Sequence, residues 1–144
     1  MQHFKWTKAH AVYLPQVDAE HRNLFRMAED LHQAVRTGSE AARVQELVRP
    51  LLTSIEEHFA HEERLMRSVS CPDYDWHKLQ HDTARKRARQ LIEDMESGDL
   101  EAPARFLEYL ARWFKDHCSL TDRMMGSHVR NYERLHAATS AIAS

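Results

Sequence analysis

Apolar residues recur along this chain three and four residues apart, the spacing of one helical face, in four stretches divided by short polar breaks. The first stretch carries Leu24, Phe25, Ala28, Leu31 and Val35, with Asp18 as its expected N-cap and Gly38 as its stop. The second carries Leu47, Leu51, Ile55, His58, Glu62 and then Leu65 or Met66, and is expected to run from a cap at Ser39 to about Ser68. Pro50 lies inside it. Proline lacks the backbone donor and crowds the preceding turn, so a kink is predicted there, or a fresh start with Glu40 to Arg49 as a separate short helix. After the turn Ser70-Cys71-Pro72-Asp73, a third helix is expected from about Asp73 to Glu96, with His77, His81, Ala84, Ala88, Leu91, Ile92 and Met95 on one face. Ser97-Gly98-Asp99 ends it, and Pro103 suits the first turn of a fourth, whose inner face is Phe106, Leu110, Trp113 and His117.

Four amphipathic helices with short connections predict an all-α, antiparallel up-down-up-down four-helix bundle. A single domain over residues 1–144 is expected, with an N-terminal arm at 1–17, the bundle over about 18–132 and a polar tail at 133–144. The arm's aromatics, Phe4, Trp6 and Tyr13, are expected to cap one end of the fold. Gly126 is expected to break or bend the chain, and the tail beyond Tyr132 to form a short helix or fray.

Composition narrows the function classes. A net charge of −2 argues against nucleic-acid binding by bulk electrostatics. No apolar run approaches the roughly 20 residues that span a bilayer. The start, Met1 to Trp6, lacks the apolar region of a signal peptide, so no membrane partner and a cytoplasmic location are expected. Cys71 and Cys118 form no Cys-x-x-Cys pair and are expected as free thiols. Histidine is the anomaly, with eleven copies.

Five of those histidines, His21, His58, His77, His81 and His117, fall in phase with the apolar stripe of their own helix, and so does Glu62. Taken singly, each has a plain reading as an exposed side chain or a satisfied core residue. Taken together they point elsewhere, because burying several imidazoles and an unpaired carboxylate in one core is costly. Divalent metal ions among them remove that cost, and a carboxylate can bridge two metals. Asp122 lies five residues after His117, a rotation of about 140° on an ideal helix, so an irregular turn is predicted near Ser119 to Asp122. Cys118 is expected to point about 100° away from His117. His61 and Glu63 are expected on the helix flank, with His3, His10, His32, His128 and His136 exposed. Arg85-Lys86-Arg87-Ala88-Arg89 reads as a solvated face.

The stretches Val17-Asp18-Ala19-Glu20-His21-Arg22-Asn23-Leu24-Phe25, His58-Phe59-Ala60-His61-Glu62-Glu63-Arg64-Leu65-Met66, His77-Lys78-Leu79-Gln80-His81 and Trp113-Phe114-Lys115-Asp116-His117-Cys118-Ser119-Leu120-Thr121-Asp122 carry a family resemblance. The chain resembles the hemerythrins, particularly the single-domain bacterial ones, over residues 6 to 132. It departs from their usual pattern in the arm, where His10-Ala11-Val12-Tyr13-Leu14-Pro15-Gln16 has no glycine, and at Ser70-Cys71-Pro72.

The resemblance implies a non-haem di-iron centre: two iron ions with a solvent-derived oxo or hydroxo bridge. His77, His81 and His117 would hold one iron, His21 and His58 the other, and Glu62 and Asp122 would bridge them. Dioxygen would bind at the open position on the His21/His58 side. Five neutral imidazoles with only two carboxylates donate less to iron than a carboxylate-rich set, which favours reversible binding over high-valent oxidation. Phe25, Ile55, Leu110 and Trp113 are expected to line the oxygen pocket, with Ser54 as a polar group in it and Asp73 orienting His77.

Reversible oxygen binding for storage, transport or delivery is therefore the expected function. The alternatives are an oxygen or redox sensor acting through a separate protein partner, an enzyme reducing nitric oxide or peroxide, and metal handling without gas chemistry. An enzyme would need a proton donor in the pocket, for which Ser54, His61 and Tyr109 are the candidates.

Overall fold

The computed structural model describes residues 3–143, with 138–143 as helical backbone only; Met1 and Gln2 of the arm and Ser144 of the tail lie outside it. The helices are α1 (Pro15–Arg36), α2 (Ala41–Ser68), α3 (Tyr74–Glu96), α4 (Ala102–Trp113) and α5 (Asp122–Ala143), and no strand occurs among the described residues. A π-helical segment, Phe114–Thr121, joins α4 to α5, so these three make one composite rod. Short connections turn each rod back along the last, giving the predicted four-helix bundle.

Several boundaries differ from the sequence expectation for local reasons. Pro15 occupies the first turn of α1, where its missing donor and fixed φ cost nothing, so the helix begins before Asp18. Freed from capping, the Asp18 carboxylate accepts the backbone N–H groups of Val12 (2.8 Å) and Tyr13 (3.2 Å) and ties down the arm. The second helix starts at Ala41 behind Glu40, whereas Ser39 was the expected cap, and runs unbroken through Pro50. That proline is exposed, so water can serve the carbonyl its missing N–H leaves free. Gly126 neither breaks nor bends the backbone into a new element; α5 continues past it to Ala143.

The arm explains Gly126. A Cβ there would stand 2.5 Å from the Val12 carbonyl oxygen, so only glycine lets the arm lie against α5. Arg123 donates to the carbonyls of Ala11 (3.0 Å) and Ala9 (2.7 Å), and Arg130 donates to that of Val12. Further out, the buried Glu29 carboxylate accepts the N–H groups of His3 (2.8 Å) and Phe4 (2.9 Å). Phe4 is buried edge-on against Phe114, and Trp6 is half-buried under Arg22, as expected of end-capping aromatics. Tyr13 is not: it is 62% exposed and held at φ 62°, a left-handed conformation unusual for its type. Gly126→Ala should lose about 1–3 kcal/mol through this close approach, despite alanine's helix propensity being better by about 1 kcal/mol. Urea denaturation checks it, and a gain in stability would contradict the arm contact.

Two apolar clusters are stacked along the bundle. The larger contains Leu24, Leu31, Leu51, Phe59, Leu91 and Phe106; the smaller contains Val12, Val17, Met66, Cys71, Met125 and Val129. Each rod passes from one to the other, and on every rod the crossing falls at the in-phase histidines or carboxylates. The polar site is therefore a layer sealed above and below by hydrocarbon.

Candidate metal centre

That layer contains all seven residues singled out by the spacing. His21 comes from α1, His58 and Glu62 from α2, His77 and His81 from α3, His117 from the π-helical segment and Asp122 from the start of α5. None is more than 2% exposed. The irregularity required between His117 and Asp122 is present, but it is longer and begins earlier than Ser119. Wider π-helical turns bring residues five apart toward one face, and His117 Nε2 lies 2.9 Å from Asp122 Oδ1.

The donor atoms form two groups, each with its atoms within 4.8 Å of one another: Glu62, His77, His81, His117 and Asp122, and His21, His58, Glu62 and Asp122. Both carboxylates divide their oxygens between the groups. Glu62 Oε1 lies 3.1 Å from His81 and 3.6 Å from His77, while Oε2 lies 3.4 Å from His58 and 3.9 Å from His21. Asp122 Oδ1 lies 2.9 Å from both His77 and His117, while Oδ2 lies 2.9 Å from His21.

Three imidazoles are fixed in tautomer by acceptors behind them. His58 Nδ1–H donates to Glu20 (2.6 Å), His81 Nδ1–H to Glu63 (2.8 Å) and His117 Nδ1–H to the Gln80 amide oxygen (2.7 Å). With Nδ1 so engaged, the Nε2 atom of each ring faces inward. His81 and His117 Nε2 stand 3.2 Å apart, and His58 Nε2 stands 3.0 Å from that of His21. Glu62 Oε2, both Asp122 oxygens and His77 Nε2 are buried without a well-directed hydrogen bond, although oppositely charged atoms are close. They converge on common points instead of pairing. Lone pairs and anionic oxygens aimed at two centres are a donor set that fits two divalent cations, and imidazole with carboxylate suits iron or zinc.

The electrostatics agree. Burial disfavours charge on His77, but hydrogen bonds to Asp122 and Glu62 raise its pKa to about 9. Burial would raise both carboxylates, and Asp122 adds repulsion at Glu62, yet the surrounding imidazoles hold both well below the ordinary range. With imidazole values raised beside lowered carboxylates, a cation entering the site would displace protons from some of the rings.

Sequence reasoning missed the outer partners. Glu63 is buried behind His81 instead of receding to the flank, and Arg85 pairs with it at 2.8 Å rather than standing on a free solvated face. Glu20 and Gln80 each adjoin a site histidine in sequence but serve a histidine of the following rod, a signal that no single-helix pattern carries. Asp73 does not orient His77; it contacts His128 at 3.2 Å. Phe59 and Trp113 stack on His81 (4.1 Å) and His117 (4.0 Å).

The expected pocket is partly rearranged. Ile55, Leu110 and Trp113 line an apolar cavity of about 10 Å³ together with Leu24 and Phe59. Phe25 stands outside it, stacked on Phe114 at 4.5 Å, with the arm's His10 packed edge-on against its ring. Trp113 lies against the three-histidine group and not over His21 and His58. Cys118 is fully buried, and burial pushes its thiol up to about 12.

A family model described as the hemerythrin HHE cation binding domain matches residues 13–129. A bacteriohemerythrin of Aquifex aeolicus is 31% identical over 108 residues, covering 74% of this chain and 82% of that protein. A myohemerythrin of Theromyzon tessulatum is 26% identical over 119 residues, covering 83% and 88%. A crystal structure of a hemerythrin point mutant superposes with a TM-score of 0.84 at 23% identity, over 90% of this chain and 98% of that one.

Proposed function

The chain belongs to the hemerythrin family, and from that premise we propose that it binds dioxygen reversibly at a non-haem di-iron centre formed by His21, His58, Glu62, His77, His81, His117 and Asp122. The supporting observation is the split of each carboxylate's oxygens between the two donor groups, which suits two ions held side by side.

When bound, two ferrous ions supply the electrons for reversible capture of dioxygen. The protein's part is positional. The three-histidine group offers five protein donors and the two-histidine group four, so an ion held by His21 and His58 would have fewer protein ligands and would leave room there for dioxygen. Leu24, Ile55, Phe59 and Leu110 line a small apolar cavity whose Phe59 and Trp113 rings stack on His81 and His117; its size and lining suit a neutral diatomic gas and exclude bulk water. Glu20, Glu63 and Gln80 hold the imidazoles in their ligating tautomer. No carboxyl or imidazole lines this cavity; the candidate donor Tyr109 does, but it packs under Arg87 and burial raises its pKa, making it a poorer proton source, whereas His61 is tied to Glu20. That favours binding over proton-coupled turnover, and storage, transport or delivery over reduction of nitric oxide or peroxide.

The visible spectrum of the reduced, iron-loaded protein before and after air tests this. A charge-transfer band that appears in air and disappears under vacuum is the expected result. Irreversible oxidation with turnover of nitric oxide or peroxide would replace the carrier reading by an enzyme, and the absence of any band with substoichiometric iron would overturn it.

A further inference from the structure

Each outer acceptor behind an imidazole is itself held by a third group. Glu63 Oε2, the acceptor for His81, is also bound by Arg85 at 2.8 Å. Gln80 Oε1, the acceptor for His117, also receives the Thr121 hydroxyl at 3.1 Å. Glu20, the acceptor for His58, is held by His61, whose Nδ1 lies 2.6 Å from Oε2 while His58 Nδ1 lies 2.6 Å from Oε1.

The two histidines are three apart on α2, so one carboxylate from α1 spans both with one oxygen each. Glu20 needs this more than its counterparts do. Its side chain is 33% exposed, against 8% for Glu63, so without His61 the second oxygen would face water and the side chain would regain rotamer freedom. A hydrated, mobile Glu20 polarises the His58 N–H less, and His58 becomes a poorer donor at Nε2.

We propose that His61 is a positioning residue for the two-histidine side of the centre: it locks Glu20 against His58 and so sets the electron donation of that imidazole. The consequence for iron rests on the di-iron reading above; the hydrogen bond itself does not, and can be measured on metal-free protein.

The experiment compares wild type with His61→Ala, His61→Asn and Glu20→Gln. Asparagine places an N–H donor near the position of the histidine Nδ1, so it separates hydrogen bonding from bulk. In metal-free protein, histidine-selective ¹⁵N NMR is expected to show a low-field His58 Nδ1–H resonance in wild type. It should move upfield or broaden away in His61→Ala and persist in His61→Asn. In iron-loaded protein, His61→Ala should raise the reduction potential, because weaker donation favours the ferrous ion, and His61→Asn should restore it. Metal affinity should fall by about threefold to tenfold, less than the 10–100-fold typical of losing an outer partner directly. Adding His61→Ala to Glu20→Gln should change nothing further, since both act through one carboxylate. An unchanged His58 resonance and potential in His61→Ala would overturn the assignment, as would equal losses in the alanine and asparagine variants. Failure of wild type to bind iron would overturn the di-iron reading while leaving the NMR result standing.

Discussion

Glu62→Ala is expected to lose the binding of two irons proposed for this site. Its Oε1 serves the three-histidine group and its Oε2 the two-histidine group, so one substitution takes a donor from both. The three-histidine group keeps four protein donors and the two-histidine group falls to three, from five and four respectively. The second group should empty first, leaving at most one iron on the other. Glu62→Gln should lose most of the same affinity, because it keeps the shape but removes the negative charge that offsets two dications. Iron titration followed by metal analysis and absorbance gives the stoichiometry, with circular dichroism of the metal-free variant to show that the bundle persists. Intact binding of two irons in Glu62→Ala would contradict its bridging place.

Phe59→Ala is expected to cost about 3–5 kcal/mol, the range for removing a large buried aromatic. The ring is fully buried, stacked parallel to His81 at 4.1 Å and tilted against Trp113 at 5.2 Å, with the Arg85 guanidinium 5.3 Å from its centroid. Its loss enlarges the apolar cavity that it lines and removes the wall that keeps His81 upright. Phe59→Leu, which refills most of the volume, should cost far less. Urea unfolding decides it: the midpoint should fall with the slope unchanged, and a loss below about 1 kcal/mol would show that the ring does not support this layer.

Much of this could be read from the sequence, and the limits have physical causes. His58 with Glu62, and His77 with His81, announce themselves because i,i+4 pairs share a helical face. His117 with Asp122 announces a departure from the α-helix for the same reason, since five residues do not close on one face. The start of α1 is hard to read from sequence because Pro15 and Asp18 both suit a helix start, and Pro15 prevails by already having the helical φ. Gly126 read as a breaker because its partner, the Val12 carbonyl, lies 114 residues away in sequence. Glu20, Glu63 and Gln80 stayed hidden for that reason too: their partners lie 38, 18 and 37 residues away, on the next rod, where periodicity within one helix says nothing.

The division of the two carboxylates has a mechanical consequence. The first helical hairpin, α1 with α2, owns His21, His58 and Glu62; the second, α3 with the composite rod, owns His77, His81, His117 and Asp122. Each hairpin thus carries the imidazoles of one group complete and lends a carboxylate oxygen to the other. A pair of cations seated here would act as a clasp across the seam between two half-molecules, and extracting them is expected to relax that seam before it loosens either hairpin.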